Sequence, residues 1–175
     1  MRHVLAAALI LAAAPALADG HGKMKTATVS LKGGEGADHG TVTLTQTPAG
    51  VLLVAELKGV PAGEHGFHIH ETGKCDAPDF KSAGGHYNPT DAKHGFMVEG
   101  GPHAGDMPNF TQPEGSDTLT FEVLNAMVSL DEDAEGTLMD EDGSAIIIHS
   151  GADDYESQPS GDAGSRIACG VVAMK

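Results

Sequence analysis

The chain has 175 residues, with ten Lys and Arg against 25 Asp and Glu, a formal net charge of -15 and no Trp. A surface this acidic is a poor partner for nucleic acid, and it repels anions unless positive charge is concentrated at one place. The length suits one domain around one core.

In chain order, Met1 and Arg2 precede an apolar, Ala- and Leu-rich run from Val4 to Leu17 that ends in Ala16-Leu17-Ala18. This pattern predicts a secretory signal peptide over residues 1–18 and a mature domain over residues 19–175 with a net charge of -16. The apolar run is shorter than the roughly 20 residues of a membrane span, and no later segment approaches that length. Short segments rich in β-branched residues follow at Lys25–Leu31, Gly40–Thr47, Val51–Lys58, His65–His70, Thr118–Leu124, Ser144–His149 and Ile167–Met174. They predict strands separated by Gly, Pro and Asp. The fold class expected is all-β, an antiparallel Greek-key sandwich or flattened barrel of about eight strands.

Two long loops interrupt that spacing. Between His70 and Thr118 the chain carries Gly84-Gly85, Gly100-Gly101 and five prolines, and no repetitive structure suits it. A second loop runs from Ser150 to Arg166. Loops of this length inside a compact domain are usually functional and need something beyond backbone pairing to order them. The acidic stretch Asp131 to Asp142 echoes a calcium-binding loop, but strand-like flanks and Asp142 in place of a bidentate Glu make it a solvated loop. In an exported chain, Cys75 and Cys169 are expected to form one disulfide.

Nine of the ten histidines lie beyond the leader, and six of these form a set: His68, His70, His86, His94, His103 and His149. Neutral imidazole is the commonest metal ligand. Side chains alternate along a strand, so His68 and His70 share a face and can share an ion. His149 ends the apolar run Ile146-Ile147-Ile148 and is a third candidate for that ion. In the long loop, His86, His94, His103 and Asp106 make a ligand set suited to four-coordinate zinc. His21, His39 and His65 lack such company and are read as structural or adventitious.

Gly66-Phe67-His68-Ile69-His70-Glu71, Gly84-Gly85-His86-Tyr87-Asn88-Pro89, Lys93-His94-Gly95, Gly101-Pro102-His103 with Gly105-Asp106, His149-Ser150-Gly151 and Gly164-Ser165-Arg166-Ile167-Ala168-Cys169-Gly170 together resemble the copper/zinc superoxide dismutases. The resemblance runs from about Lys25 to the end of the chain. It implies copper on His68, His70, His86 and His149, and zinc on His86, His94, His103 and Asp106, with His86 shared. It also implies that Asp153 supports two of the imidazoles, with Asp154 the alternative. Cys75 and Cys169 would clamp the loop to the last strand, and Arg166 would guide superoxide to copper. Catalytic roles fall to Arg166 and His86, and Lys81 is expected to add to the steering charge. One copper and one zinc per subunit are expected in a periplasmic enzyme that is a homodimer or a monomer. The rival function is a copper-binding or copper-delivery protein of the same fold, against which Arg166 beside a complete copper set speaks.

Overall fold

The computed structural model describes residues 24–174, so the expected leader over residues 1–18 and His21 lie outside it. Ten strands follow one another: β1 (Thr26–Gly33), β2 (Asp38–Thr47), β3 (Gly50–Lys58), β4 (Gly63–His65), β5 (Phe67–His70), β6 (Phe110–Gln112), β7 (Thr118–Asn125), β8 (Ala145–His149), β9 (Arg166–Val171) and β10 (Ala173–Met174). Eight of them form one antiparallel sheet in the order β5-β8-β9-β1-β2-β3-β7, with β10 joined to β1, while β4 and β6 pair separately.

Binary patterning fixes the face each strand buries. Ala27, Val29 and Leu31 on β1, Val42 and Leu44 on β2, and Val51, Leu53, Ala55 and Leu57 on β3 all point into one core; hydroxyl residues alternate with them on β1 and β2, and the half-buried Leu52 and Val54 and the exposed Glu56 on β3. The two ends of the sheet curl until they meet. Phe67 on β5 packs edge-on against Phe121 on β7 with ring centroids 5.3 Å apart, and Phe110 stacks on Phe121 at 4.9 Å. The result is a flattened half-barrel closed across its open side by aromatic contacts.

Strands β5 and β8 depart from alternation because both faces are buried. Phe67, Ile69, Ile146 and Ile148 enter the main core. The opposite face carries His68 and His70, and Ala145 and Ile147 there pack with Phe80, Ala83 and Cys169 in a second small cluster beneath the long loop. Cys75 and Cys169 are joined by a disulfide across 94 residues, which pins that loop to β9.

Three details differ from the expectation. The segment His65–His70 is two strands, because β4 pairs with β6 whereas β5 pairs with β8. The break is at Gly66, whose N–H donates to Gly151 and whose carbonyl accepts from His149. The long loop does contain regular structure, a 3-10 turn at Lys81–Ala83 and strand β6. Finally, the last strand divides at Val172, so that β9 pairs with the end of β1 and β10 with its beginning.

Candidate metal centre

His68 and His70 leave β5 on the same face, and antiparallel pairing with β8 carries His149 alongside them at the strand end. The long loop returns over this face. The N–H of Tyr87 donates to Ile69 and the N–H of Ile69 to Gly105, so the segments bearing His86 and Asp106 are laced to the backbone of β5. All six histidines of the set are at most 8 % exposed.

Two constellations result. One ligand atom from each of His68, His70, His86 and His149 lies within 4.8 Å of the others, and so does one from each of His86, His94, His103 and Asp106. His86 belongs to both. Its Nδ1 is 2.7 Å from Asp106 Oδ1, which also lies 3.1 Å from His94 Nδ1 and 3.3 Å from His103 Nδ1. In the other group His68 Nδ1, His70 Nε2, His86 Nε2 and His149 Nε2 are buried and have no hydrogen-bond partner. A buried polar atom left without a partner costs roughly 1–3 kcal/mol, and four imidazole nitrogens converging without partners are the mark of an ion site. The residues present therefore fit a cation at each constellation.

The remaining nitrogens are held in place. His70 Nδ1–H donates to the Gly84 carbonyl at 3.0 Å. Asp153 takes His68 Nε2 at 2.8 Å on one oxygen and His94 Nε2 at 3.0 Å on the other, so one carboxylate fixes one imidazole from each constellation. Asp154, the alternative, is exposed and instead accepts from the amides of Glu156 and Ser157. Asp153 is positioned by its neighbours, its N–H donating to Asn109 Oδ1 and its carbonyl accepting from Asn109 Nδ2.

Electrostatics keep these groups in metal-binding form. Burial pushes His68 down to about 4 and His149 to about 3, and it drives His70 well below the usual imidazole range. Burial alone would raise Asp106, but hydrogen bonds from His86 and the Gly95 amide outweigh it and hold the carboxyl well below the usual range. Asp153 falls to about 2, because the His68 hydrogen bond and the Tyr155 amide likewise overcome burial. At neutral pH, protons scarcely compete for these sites. A stability profile follows from the signs. Folded His68 and His149 titrate below the unfolded value of 6.5, so their contribution is complete above pH 6.5 and is lost as pH falls towards about 4 and about 3. The metal-stripped protein should melt on the order of 10 °C lower at pH 4.5 than at pH 7.5, measured by circular dichroism; a flat profile would contradict the burial of neutral imidazoles.

Arg166 opens β9 beside this face. Its Nη1 and Nη2 donate to the carbonyls of Phe80 and Gly84, each at 2.6 Å, which holds the guanidinium at the rim of a cleft of about 480 Å³. His70, His86, His103 and His149 line the same cleft. Lys81 lies on the adjoining rim with its Nζ 2.8 Å from Asp79. His65 is buried between the carbonyls of Pro61 and His149, and His39 reaches the Lys58 carbonyl, so neither joins the centre.

Several supports were not readable from residue type. Gln158 clamps the backbone of His94 through both amide atoms, and Glu71 Oε1 accepts from the Gly85 amide. Asn109, Gln158 and Glu71 look in sequence like ordinary loop polars. Gly161 is a further support. Its backbone sits at φ 70°, and a Cβ there would overlap Asp153 Oδ1 and approach His94 Nε2. Gly161→Ala should displace Asp153 and lower zinc affinity about 10- to 100-fold, read by competition with a chromophoric chelator; unchanged affinity would show that Asp153 does not set the site.

Comparison with known proteins agrees with this geometry. A family model described as copper/zinc superoxide dismutase matches residues 38–172. The chain belongs to the copper/zinc superoxide dismutase family. Among its relatives, superoxide dismutase [Cu-Zn] 1 of Aquifex aeolicus is 51 % identical over 140 residues, covering 79 % of this chain and 82 % of that one. The superoxide dismutase [Cu-Zn] of Caulobacter vibrioides is 45 % identical over 151 residues, covering 84 % and 85 %. The crystal structure of a SOD-like protein from Bacillus subtilis superposes with a TM-score of 0.79 at 38 % identity, covering 82 % of this chain and 96 % of that one. Copper and zinc are the metals of this family, and the two constellations suit them.

Proposed function

We propose that this family member binds copper through His68, His70, His86 and His149 and zinc through His86, His94, His103 and Asp106, and converts two superoxide anions and two protons into oxygen and hydrogen peroxide. The observation that carries the reading is His86, whose Nδ1 faces the carboxylate-containing constellation while its unpartnered Nε2 faces the all-imidazole one. Donor chemistry supports the division, since three imidazoles and a carboxylate make a four-ligand set suited to tetrahedral zinc, whereas the all-imidazole set has His70, His86 and His149 on the wall of a cleft with room for a small substrate. Bound copper supplies reversible one-electron chemistry, and zinc is a redox-inert cation.

The chain's own residues do the rest. Arg166, locked by two carbonyls, presents a fixed positive charge at the mouth of the cleft and draws a small anion past an otherwise acidic surface. His86 Nε2 is the atom at which a proton is held and then passed to the reduced substrate. Asp153 keeps His68 and His94 oriented throughout. Lys81 contributes to steering in this reading, although Asp79 beside it cancels part of its field.

The leader-like N-terminus and the Cys75–Cys169 disulfide support residence in an oxidising compartment outside the cytosol, the periplasm for a bacterial protein. Among the described residues no helix is long and apolar enough to cross a membrane.

The steering role is tested by Arg166→Gln, which should lower kcat/KM for superoxide about 10- to 100-fold and flatten its dependence on ionic strength with metal content unchanged. A variant that keeps the wild-type salt dependence would remove Arg166 from that role.

A further inference from the structure

Glu71 follows the ligand His70 at the end of β5, is exposed, and lines the cleft together with His70, Gly85 and Arg166. A carboxylate in a cleft that must admit an anion has the wrong charge for steering. Its contacts give it another use. Glu71 Oε1 accepts from the Gly85 amide at 2.8 Å, and the Glu71 N–H donates to the Gly85 carbonyl at 3.0 Å, so side chain and backbone of one residue hold both polar groups of Gly85. The preceding Gly84 sits at φ 74°, and a Cβ there would lie 2.5 Å from Glu71 Oε1 and 2.7 Å from its Cγ. The carboxylate is packed directly on the Gly84-Gly85 backbone.

The Gly85 N–H and the Gly84 carbonyl belong to one peptide unit, and in a planar trans peptide the two point opposite ways, so fixing the N–H fixes the carbonyl. That carbonyl is where two parts of the centre meet. It accepts from His70 Nδ1 at 3.0 Å and from Arg166 Nη2 at 2.6 Å. A rotation of this one peptide turns the His70 ring and shifts the guanidinium together. A charge-assisted hydrogen bond to the N–H also polarises the carbonyl and strengthens both bonds it accepts. We propose that Glu71 is a positioning residue: its carboxylate sets the plane of the Gly84–Gly85 peptide and, through the carbonyl of that peptide, aligns the copper ligand His70 and the guide Arg166 at once. This rests on the copper and steering roles proposed above.

Geometry and charge act with opposite signs at this residue. Burial lowers the Arg166 guanidinium from its ordinary range, and Asp79 and Glu71 are the two carboxylates whose fields oppose that. The same Glu71 field meets an anion entering the cleft and repels it. Hydrogen bonding by Glu71 therefore speeds the reaction while its charge slows it, and substitution separates the two. Gln keeps an acceptor oxygen at the same reach without the charge. Asp keeps the charge but is one methylene too short to hold the Gly85 amide in the same place.

Two readouts on protein fully loaded with copper and zinc test this: the copper(II) electron paramagnetic resonance spectrum, and kcat/KM for superoxide against ionic strength. Glu71→Gln should keep the wild-type spectrum and a kcat/KM no lower than wild type, about twofold higher at low ionic strength. Glu71→Asp should change the spectrum through His70, lower kcat/KM about 10-fold and weaken its salt dependence, although its charge is that of wild type. Glu71→Ala should show the same spectral change and replaces Glu71→Asp if that variant does not fold. A wild-type spectrum or rate in Glu71→Asp, or a perturbed spectrum or lowered rate in Glu71→Gln, would overturn the assignment. The spectrum is read without turnover, so a loaded wild type that fails to dismute superoxide would overturn the proposed function while the spectra still decide the role of Glu71.

Discussion

Replacing His86 with Ala is expected to abolish dismutation and to weaken both metal sites at once, a result that no other single imidazole of the set should give. Loss of a supporting hydrogen bond already costs about 10- to 100-fold in affinity or activity, and here a direct ligand is lost from each constellation. His86 Nδ1 lies 2.7 Å from Asp106, and its Nε2 is one of the four unpartnered nitrogens of the other group. Equilibrium dialysis with zinc and with copper separates the effects. His94→Ala should weaken zinc binding and spare most of the copper affinity, His149→Ala should do the reverse, and His86→Ala should weaken both. His39→Gln, on a half-buried residue that belongs to neither constellation, serves as the control and should change neither. If His86→Ala weakened one metal alone, the sharing of this residue would be wrong.

Breaking the disulfide is expected to give the largest loss of stability. The Cys75–Cys169 bond closes 94 residues of chain, and on chain-entropy grounds a loop of that length stabilises the fold by about 4 kcal/mol or more, with measured losses of about 2–5 kcal/mol. Cys75→Ser should therefore lower the melting temperature by roughly 10 °C, seen in scanning calorimetry of the oxidised proteins. The loss should also reach the cleft. Cys75 and Cys169 pack with Phe80, and the carbonyls of Phe80 and Gly84 hold the Arg166 guanidinium. A loosened loop frees that side chain, so kcat/KM should fall several-fold even when metal content is matched. A variant that melts like wild type would show that the loop is anchored by its metal ligands and hydrogen bonds alone.

What could be read from the sequence follows from how local its cause is. β1, β2, β3, β7 and β8 fall within two residues of the expected bounds, because alternation and Gly- or Pro-rich breaks are properties of neighbouring residues. The seam at Gly66 was not legible. His65 and His70 alternate as one strand would, and only the pairing of β4 with β6 and of β5 with β8, both distant in sequence, separates them. β6 was hidden for the same reason: Phe110–Gln112 is three residues long and is a strand only because β4 lies beside it.

The centre shows the same division. Residue type and spacing bring out the six histidines and Asp106, and the structure gathers all seven into two adjoining groups. The resemblance puts Asp153 first with Asp154 as the alternative, and residue type alone does not separate them, since both are loop acids. The choice is decided by where the second loop turns: Asp153 points inward between His68 and His94, while Asp154 caps the turn that follows. Gln158 and Asn109 carried no signal, because an amide in a loop is ordinarily solvated and their partners are backbone groups far away in the chain. Lys81 was singled out by charge alone. The 3-10 turn places it near Arg166 but also beside Asp79, so its effect on the cleft is smaller than its charge suggests.

The most direct measurement is metal content and superoxide dismutation determined on one sample, stripped with chelator, loaded with zinc and then titrated with copper. A shared two-metal redox centre predicts one zinc and one copper per chain, no activity with zinc alone, and activity rising in proportion to copper until the site is full. Copper bound at that stoichiometry without dismutation would contradict it and leave a copper-binding protein of the same fold.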